Sequence, residues 1–212
     1  MALKERVLGL LRGPEASRIR FTAPTTTGPI TINRATFATV ASAIDAGKIG
    51  VTPFTPTKLA GAKYFQPAGP GAPPSGQLHV PPILGRLDES AVMHESTHAF
   101  FDLKKTAIEA AEEEAVCYIV STLYNRMTGL TPARWTRTQT SAKSVVDALL
   151  HQYAVGVAGI PVVNAGAFRT LVIAVQLSPT YLIPDPDSPM SGTPAGLFGG
   201  FFGGPTSYTH DG

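Results

Sequence analysis

From Ala91 to Leu103 the chain reads Ala-Val-Met-His-Glu-Ser-Thr-His-Ala-Phe-Phe-Asp-Leu. At helical spacing, Val92, Met93, Ala99, Phe100, Phe101 and Leu103 fall on nearly every side, and a helix apolar all round is a buried one. Asp88 is a good N-cap for it, and a helix is expected over 89–103. That helix carries two imidazoles and a carboxylate into the interior, where polar groups need partners. His94 and His98 are four residues apart, so they lie on one face, one turn apart. Both rings can then reach one divalent cation, at about 2.0–2.1 Å if the ion is zinc. Glu95 sits roughly 100° further round the helix. There its carboxylate is beside the metal rather than on it, placed to take a proton from an attacking water.

A third protein ligand is needed, and the chain offers it close by. Lys104 and Lys105 suit a helix C-terminus, and Thr106 to Glu109 read as a capping box opening a second helix, expected over 107–127. So short a connection joins antiparallel neighbours. Folding the hairpin about residues 104 and 105 sets His98 near 111 and His94 near 115. Glu112, Glu113 and Glu114 occupy that window. Glu112 shares a helical face with Val116, Ile119 and Leu123, and Glu113 with Val116, Cys117 and Val120, whereas Glu114 reads as the more exposed. Glu112 is the preferred third ligand, because Ala115 three residues later lets the helices approach closely; Glu113 is the alternative. Three adjacent acids also fit a solvated charged turn.

His94-Glu95-Ser96-Thr97-His98-Ala99-Phe100-Phe101-Asp102 resembles the active-site helix of the gluzincins, the thermolysin-like clan of zinc metallopeptidases. Glu112-Glu113-Glu114-Ala115 is similar to that clan's second helix and to the Glu-x-x-Ala pattern of short bacterial metallopeptidases of the ImmA/IrrE type. The resemblance spans roughly residues 77–127. It implies that both histidines and a glutamate of the second helix bind Zn2+ and that Glu95 is the general base. The Asp or Asn that often follows the ligand glutamate four residues on is Val116 if Glu112 is the ligand. Sites of this type present substrate along an edge strand upstream of the metal helix, and Gln77 to Val80, closed by Pro81-Pro82, fits one. His79 there reads as an exposed strand residue. Asp102, one turn past His98, could accept an N–H from a ligand histidine. Tyr118, His151 and Tyr153 are candidate donors to the developing oxyanion.

Elsewhere, Leu3 to Leu11 predicts a short amphipathic helix, and Arg18–Thr22 and Pro29–Ile32 predict two strands. Asn33 caps a helix that carries Phe37, Val40, Ala41 and Ile44 and stops at Gly47. Ile49–Val51, Lys63–Phe65 and Gln77–Val80 read as strands, the last two joined by a proline- and glycine-rich surface loop. Further helices are expected over 140–154 and 164–177, with a short helical turn at Thr131-Pro132. The expected class is α+β: a small N-terminal mixed or antiparallel sheet packed on a mainly helical, zincin-like core. One domain would span 1–180. From 181 to 212 the chain is rich in Gly, Pro and Phe and reads as a flexible tail or a docking segment for a larger assembly.

Hydrophobic residues make up 43% of the chain, enough for a core of this size. The net charge of +2, with no basic run, leaves no electrostatic footprint for nucleic acid. Leu171 to Leu177 is too short to span a membrane. The N-terminus lacks a signal-peptide pattern, so a cytoplasmic location, or export without a classical signal, is expected. The single cysteine, Cys117, excludes an intrachain disulfide and reads as a buried small apolar residue. The expected function is a zinc endopeptidase acting on protein or peptide. The alternatives are a non-catalytic metal-binding or assembly module and a secreted effector protease with one target.

Overall fold

A computed structural model describes residues 2–54, 61–65, 76–131 and 136–178. The fold is α+β, with an antiparallel hairpin, a three-stranded mixed sheet and a mainly helical remainder. Helix α1 (Leu3–Arg12) buries Val7, Leu8 and Leu11. Pro14 then opens a short helix, α2 (Pro14–Arg18), at the first helical position that proline favours. This takes up residues expected in a strand, so β1 begins later, at Phe21 (Phe21–Thr25), and pairs with β2 (Gly28–Ile32). Asn33 caps α3 (Arg34–Asp45) as expected, its side chain accepting from the Ala35 amide.

Strands β3 (Ile49–Pro53), β4 (Lys63–Phe65) and β5 (Gly76–Val80) form a sheet in the order β3-β5-β4. β3 runs parallel and β4 antiparallel to β5. The expected edge strand, Gln77 to Val80, is therefore central: Lys63–Phe65 folds back on it and takes its remaining edge. Among the described residues, β4 is an edge strand. Its Tyr64 ring lies over Gly76, where an added Cβ would fall 2.2 Å from the Tyr64 hydroxyl oxygen, so only glycine admits this packing.

Helix α4 (Arg86–Lys104) carries the histidines. It starts three residues earlier than expected, because Asp88 is not the cap residue itself: its Oδ2 reaches back to the Gly85 N–H at 2.8 Å. Lys105 ends the helix in the left-handed conformation, with φ of 51°. Helix α5 (Ala110–Met127) does not begin at Thr106, and the expected capping box does not form. Residues 106–109 instead run as a non-helical link, held where the Thr27 hydroxyl donates to the Ala107 carbonyl at 2.6 Å. The two helices are antiparallel, as successive cross-pairs demonstrate: His98 with Glu113, His94 with Glu114, and Glu89 with Tyr124.

α4 packs against β4, β5 and α3 on one side and α5 on the other. Beyond α5 lie α6 (Arg137–Ala154), capped by Thr136, and α7 (Ala165–Gln176), capped by Asn164. Phe37, Leu78, Met93, Leu123, Leu149 and Leu171 are fully buried at successive levels of this stack. No helix among the described residues is long and apolar enough to cross a membrane. The expected turn at 132 and the tail from 181 lie outside the described residues.

Candidate metal centre

The apolar surroundings that mark α4 as a core helix also bury its polar residues. Glu95 and His98 are each 2% exposed and His94 is 6% exposed. Across the helix pair, α5 contributes Glu114, 1% exposed. The His94 and His98 Nε2 atoms lie 3.3 Å apart. Glu114 straddles them, with Oε1 3.3 Å from His94 Nε2 and Oε2 3.2 Å from His98 Nε2. For ligand bonds of about 2.0–2.1 Å, the edge of a coordination tetrahedron is about 3.3–3.4 Å. The two ring nitrogens thus stand at the edge spacing of a coordination tetrahedron, with a different Glu114 oxygen at a similar distance from each, a spacing that suits a zinc-like ion. Cys117, one turn after Glu114 on the same face of α5, adds a sulfur: His94, His98 and Cys117 each offer a donor atom within 4.8 Å of the others. This buried His/His/Cys group could hold a metal ion.

The ring of His98 is oriented from outside. Its Nδ1 lies 2.7 Å from Glu113 Oε1. With the carboxylate accepting, Nδ1 carries the proton, which leaves Nε2, the nitrogen that faces Glu114 and His94, as the one a metal ion would take. Metal-bound histidines generally have such a partner. Asp102, a candidate for this role, is engaged elsewhere. It accepts from the Tyr64 hydroxyl at 2.8 Å and from Lys105 Nζ at 2.9 Å. Replacing Glu113 by Gln removes the charge and one acceptor oxygen while keeping the shape. Affinity for a metal ion at the histidines should fall about 10–100-fold, as for other outer partners of ligand histidines. Competition with a zinc chelator of known affinity measures this, and an unchanged affinity would remove Glu113 from the site.

The expected ligand Glu112 is turned away. Both its oxygens accept from the Thr26 amide, at 2.9 and 3.2 Å, and Oε2 also accepts from the Thr26 hydroxyl at 3.0 Å. It anchors the tip of the β1–β2 hairpin to the start of α5. Helical periodicity does not separate these acids, because α5 is buried round most of its circumference, by α4, α6 and α7, with Thr26 of the hairpin tip on Glu112. Glu112, Glu113 and Glu114 are all buried, so facing the core does not mean facing α4. The expectation that Glu114 is exposed is overturned for the same reason.

Glu95, the residue after His94 on α4, is buried, and its Oε2 accepts the Tyr64 main-chain N–H at 2.8 Å. The edge of the β sheet therefore meets α4 at this carboxylate. The Tyr118 ring stands edge-on to His94, with centroids 5.1 Å apart. Burial, and after it the Glu114 and Glu95 carboxylates, holds its hydroxyl above the usual tyrosine range. Burial pushes the Cys117 thiol up to about 12, opposed by the His98 ring. At His98, burial disfavours the charged ring, but Cys117, Glu113 and Glu114 outweigh it and hold the imidazole well above its ordinary value. The pocket attracts positive charge.

His151 and Tyr153 do not join the site. His151 is exposed at the end of α6, and the Tyr153 hydroxyl bonds the main chain of Arg20. His79 is half-buried rather than exposed, packed against Phe65 with ring centroids 4.6 Å apart. Burial and then Lys63 lower its affinity for a proton. Two surface cavities of about 530 and 500 Å³ share Ser17 and Arg20 and include no residue of the metal site.

In the sequence Cys117 reads as a small apolar residue, and Tyr64 as the middle of a short strand. The Glu114-x-x-Cys117 spacing, three apart on one helical face, was the available signal for the former. Nothing local marks the latter, whose role comes from its main-chain N–H. No family model matches the chain, and no curated protein or solved structure matches it.

Proposed function

We propose that the protein is a zinc-dependent endopeptidase of gluzincin type, with His94, His98 and Glu114 as metal ligands and Glu95 as general base. The observation that carries this reading is the 3.2–3.3 Å spacing of the two Nε2 atoms and the Glu114 carboxylate, beside a glutamate of the same helix. When bound, zinc supplies Lewis-acid polarisation of the scissile carbonyl and eases the ionisation of water. The chain's residues supply the rest. The Tyr64 N–H fixes Glu95 Oε2, so the carboxylate is oriented before substrate arrives. Glu95 takes the proton of the attacking water and delivers it to the leaving amine. β4, the edge strand beside α4, replaces β5 as the rail on which a substrate main chain would pair. Tyr118, whose ring contacts His94, is the candidate hydroxyl for steadying the oxyanion.

A second reading, a non-catalytic metal module, is favoured by the burial of all the donors and by Cys117, since a closed donor set is the mark of a structural site. Hydrolysis separates the two. Zinc-loaded protein is incubated with denatured casein, and new amino termini are labelled and sequenced. The peptidase reading expects cleavage that stops on chelation and returns with zinc. Zinc bound at one equivalent without any new termini, from the unaltered protein and from Cys117→Ser alike, selects the closed module.

A further inference from the structure

The metal reading above provides three donors. α5 supplies a further one that the peptidase chemistry does not use. Glu114 and Cys117 are three residues apart on α5, and His94 and His98 are four apart on α4, so each helix presents two donors one turn apart to the same interface. The cysteine is fully buried and its sulfur lies within 4.8 Å of a ring nitrogen of each histidine. A tetrahedral pair of Zn–S and Zn–N bonds spans about 3.5 Å. A contraction of at most about 1.3 Å onto an ion therefore brings the sulfur to bonding range. Nitrogen, nitrogen, oxygen and sulfur make up a complete tetrahedral donor set, whereas a catalytic site keeps one position for water.

We propose that Cys117 is the fourth protein ligand in the resting state, its thiolate occupying the position that hydrolysis needs for water. The bond formed is sulfur to metal, and the thiol proton leaves to solvent. The peptidase is then latent by construction: Cys117 must withdraw before water can enter, and the rate depends on α5 moving against α4. This proposal rests on the metal reading, and it concerns which atoms hold the ion rather than what is cleaved.

Cobalt(II) replaces zinc in such sites and reports sulfur directly, through a thiolate-to-metal charge-transfer band in the near ultraviolet. One equivalent of cobalt added to the 212-residue chain should produce that band together with the intense visible absorption of a four-coordinate ion. Cys117→Ser should still bind one equivalent and lose the near-ultraviolet band. X-ray absorption at the zinc edge of the unaltered protein gives a second measurement that needs no variant. One sulfur scatterer at about 2.3 Å is expected. One equivalent of metal bound with no charge-transfer band and no sulfur shell overturns the Cys117 assignment and leaves the three-ligand peptidase site standing. A sulfur signature that survives in Cys117→Ser, which has no other cysteine, also overturns it. No metal bound at all overturns both.

Discussion

Glu95→Gln should leave zinc bound and remove hydrolysis, lowering kcat about 10²–10⁴-fold, the usual contribution of a positioned general base. The substitution isolates the proton transfer. Glutamine keeps the length of glutamate and retains a carbonyl oxygen that can accept the Tyr64 N–H, so the packing of α4 against β4 is preserved. Glu95 is also absent from the donor face formed by His94, His98 and Glu114. Metal stoichiometry should therefore match that of the unaltered protein. The readout is the pair of numbers together. Zinc retained with activity lost supports the assignment. Equal activity in both proteins removes Glu95 from the chemistry, and loss of zinc would make it a ligand instead.

Stripping the metal should lower the melting temperature by about 8–16 °C relative to protein in zinc at a thousand times its Kd. Ligand binding at that ratio stabilises the folded state by about 4 kcal/mol. For a chain of this size each kcal/mol moves Tm by about 2–4 °C. The physical source is the interface itself. Glu95, Glu113 and Glu114 are buried within one helix pair with two imidazoles. Confining carboxylates this closely is costly without a compensating cation. Glu114→Ala should abolish the zinc-dependent rise in Tm, while Glu112→Ala should keep it, since Glu112 bonds Thr26 rather than the histidines. A zinc-dependent rise that persists in Glu114→Ala and vanishes in Glu112→Ala would reverse the assignment made from the geometry. Differential scanning calorimetry with and without chelator makes the comparison.

The reversal of roles between Glu112 and Glu114 marks the boundary of what a one-dimensional reading reaches. Helical periodicity sorts residues into buried and exposed only when a helix has one dry face. On α5, thirteen of eighteen residues are buried, so three adjacent acids all look inward and each finds a different partner. Glu112 meets the hairpin tip, Glu113 the outer nitrogen of His98, and Glu114 the two inner nitrogens. The same limit applies to the sheet. Alternation in Gln77–Val80 predicted a strand correctly, but its neighbours on both sides come from elsewhere in the chain, and pairing with Lys63–Phe65 moved it from edge to centre.

What the residues dictate alone is local. The i, i+4 histidines, the apolar coat of α4, the cap at Asn33, the antiparallel helix pair and the α+β class all follow from periodicity and short connections, because their causes lie within a few turns of the chain. Which glutamate meets the imidazoles, that Cys117 stands among them, and that the Tyr64 main chain holds Glu95 were decided only by tertiary packing. Those contacts join elements separated along the chain, and rotation of α5 about its own axis, unreadable from its composition, selects among them.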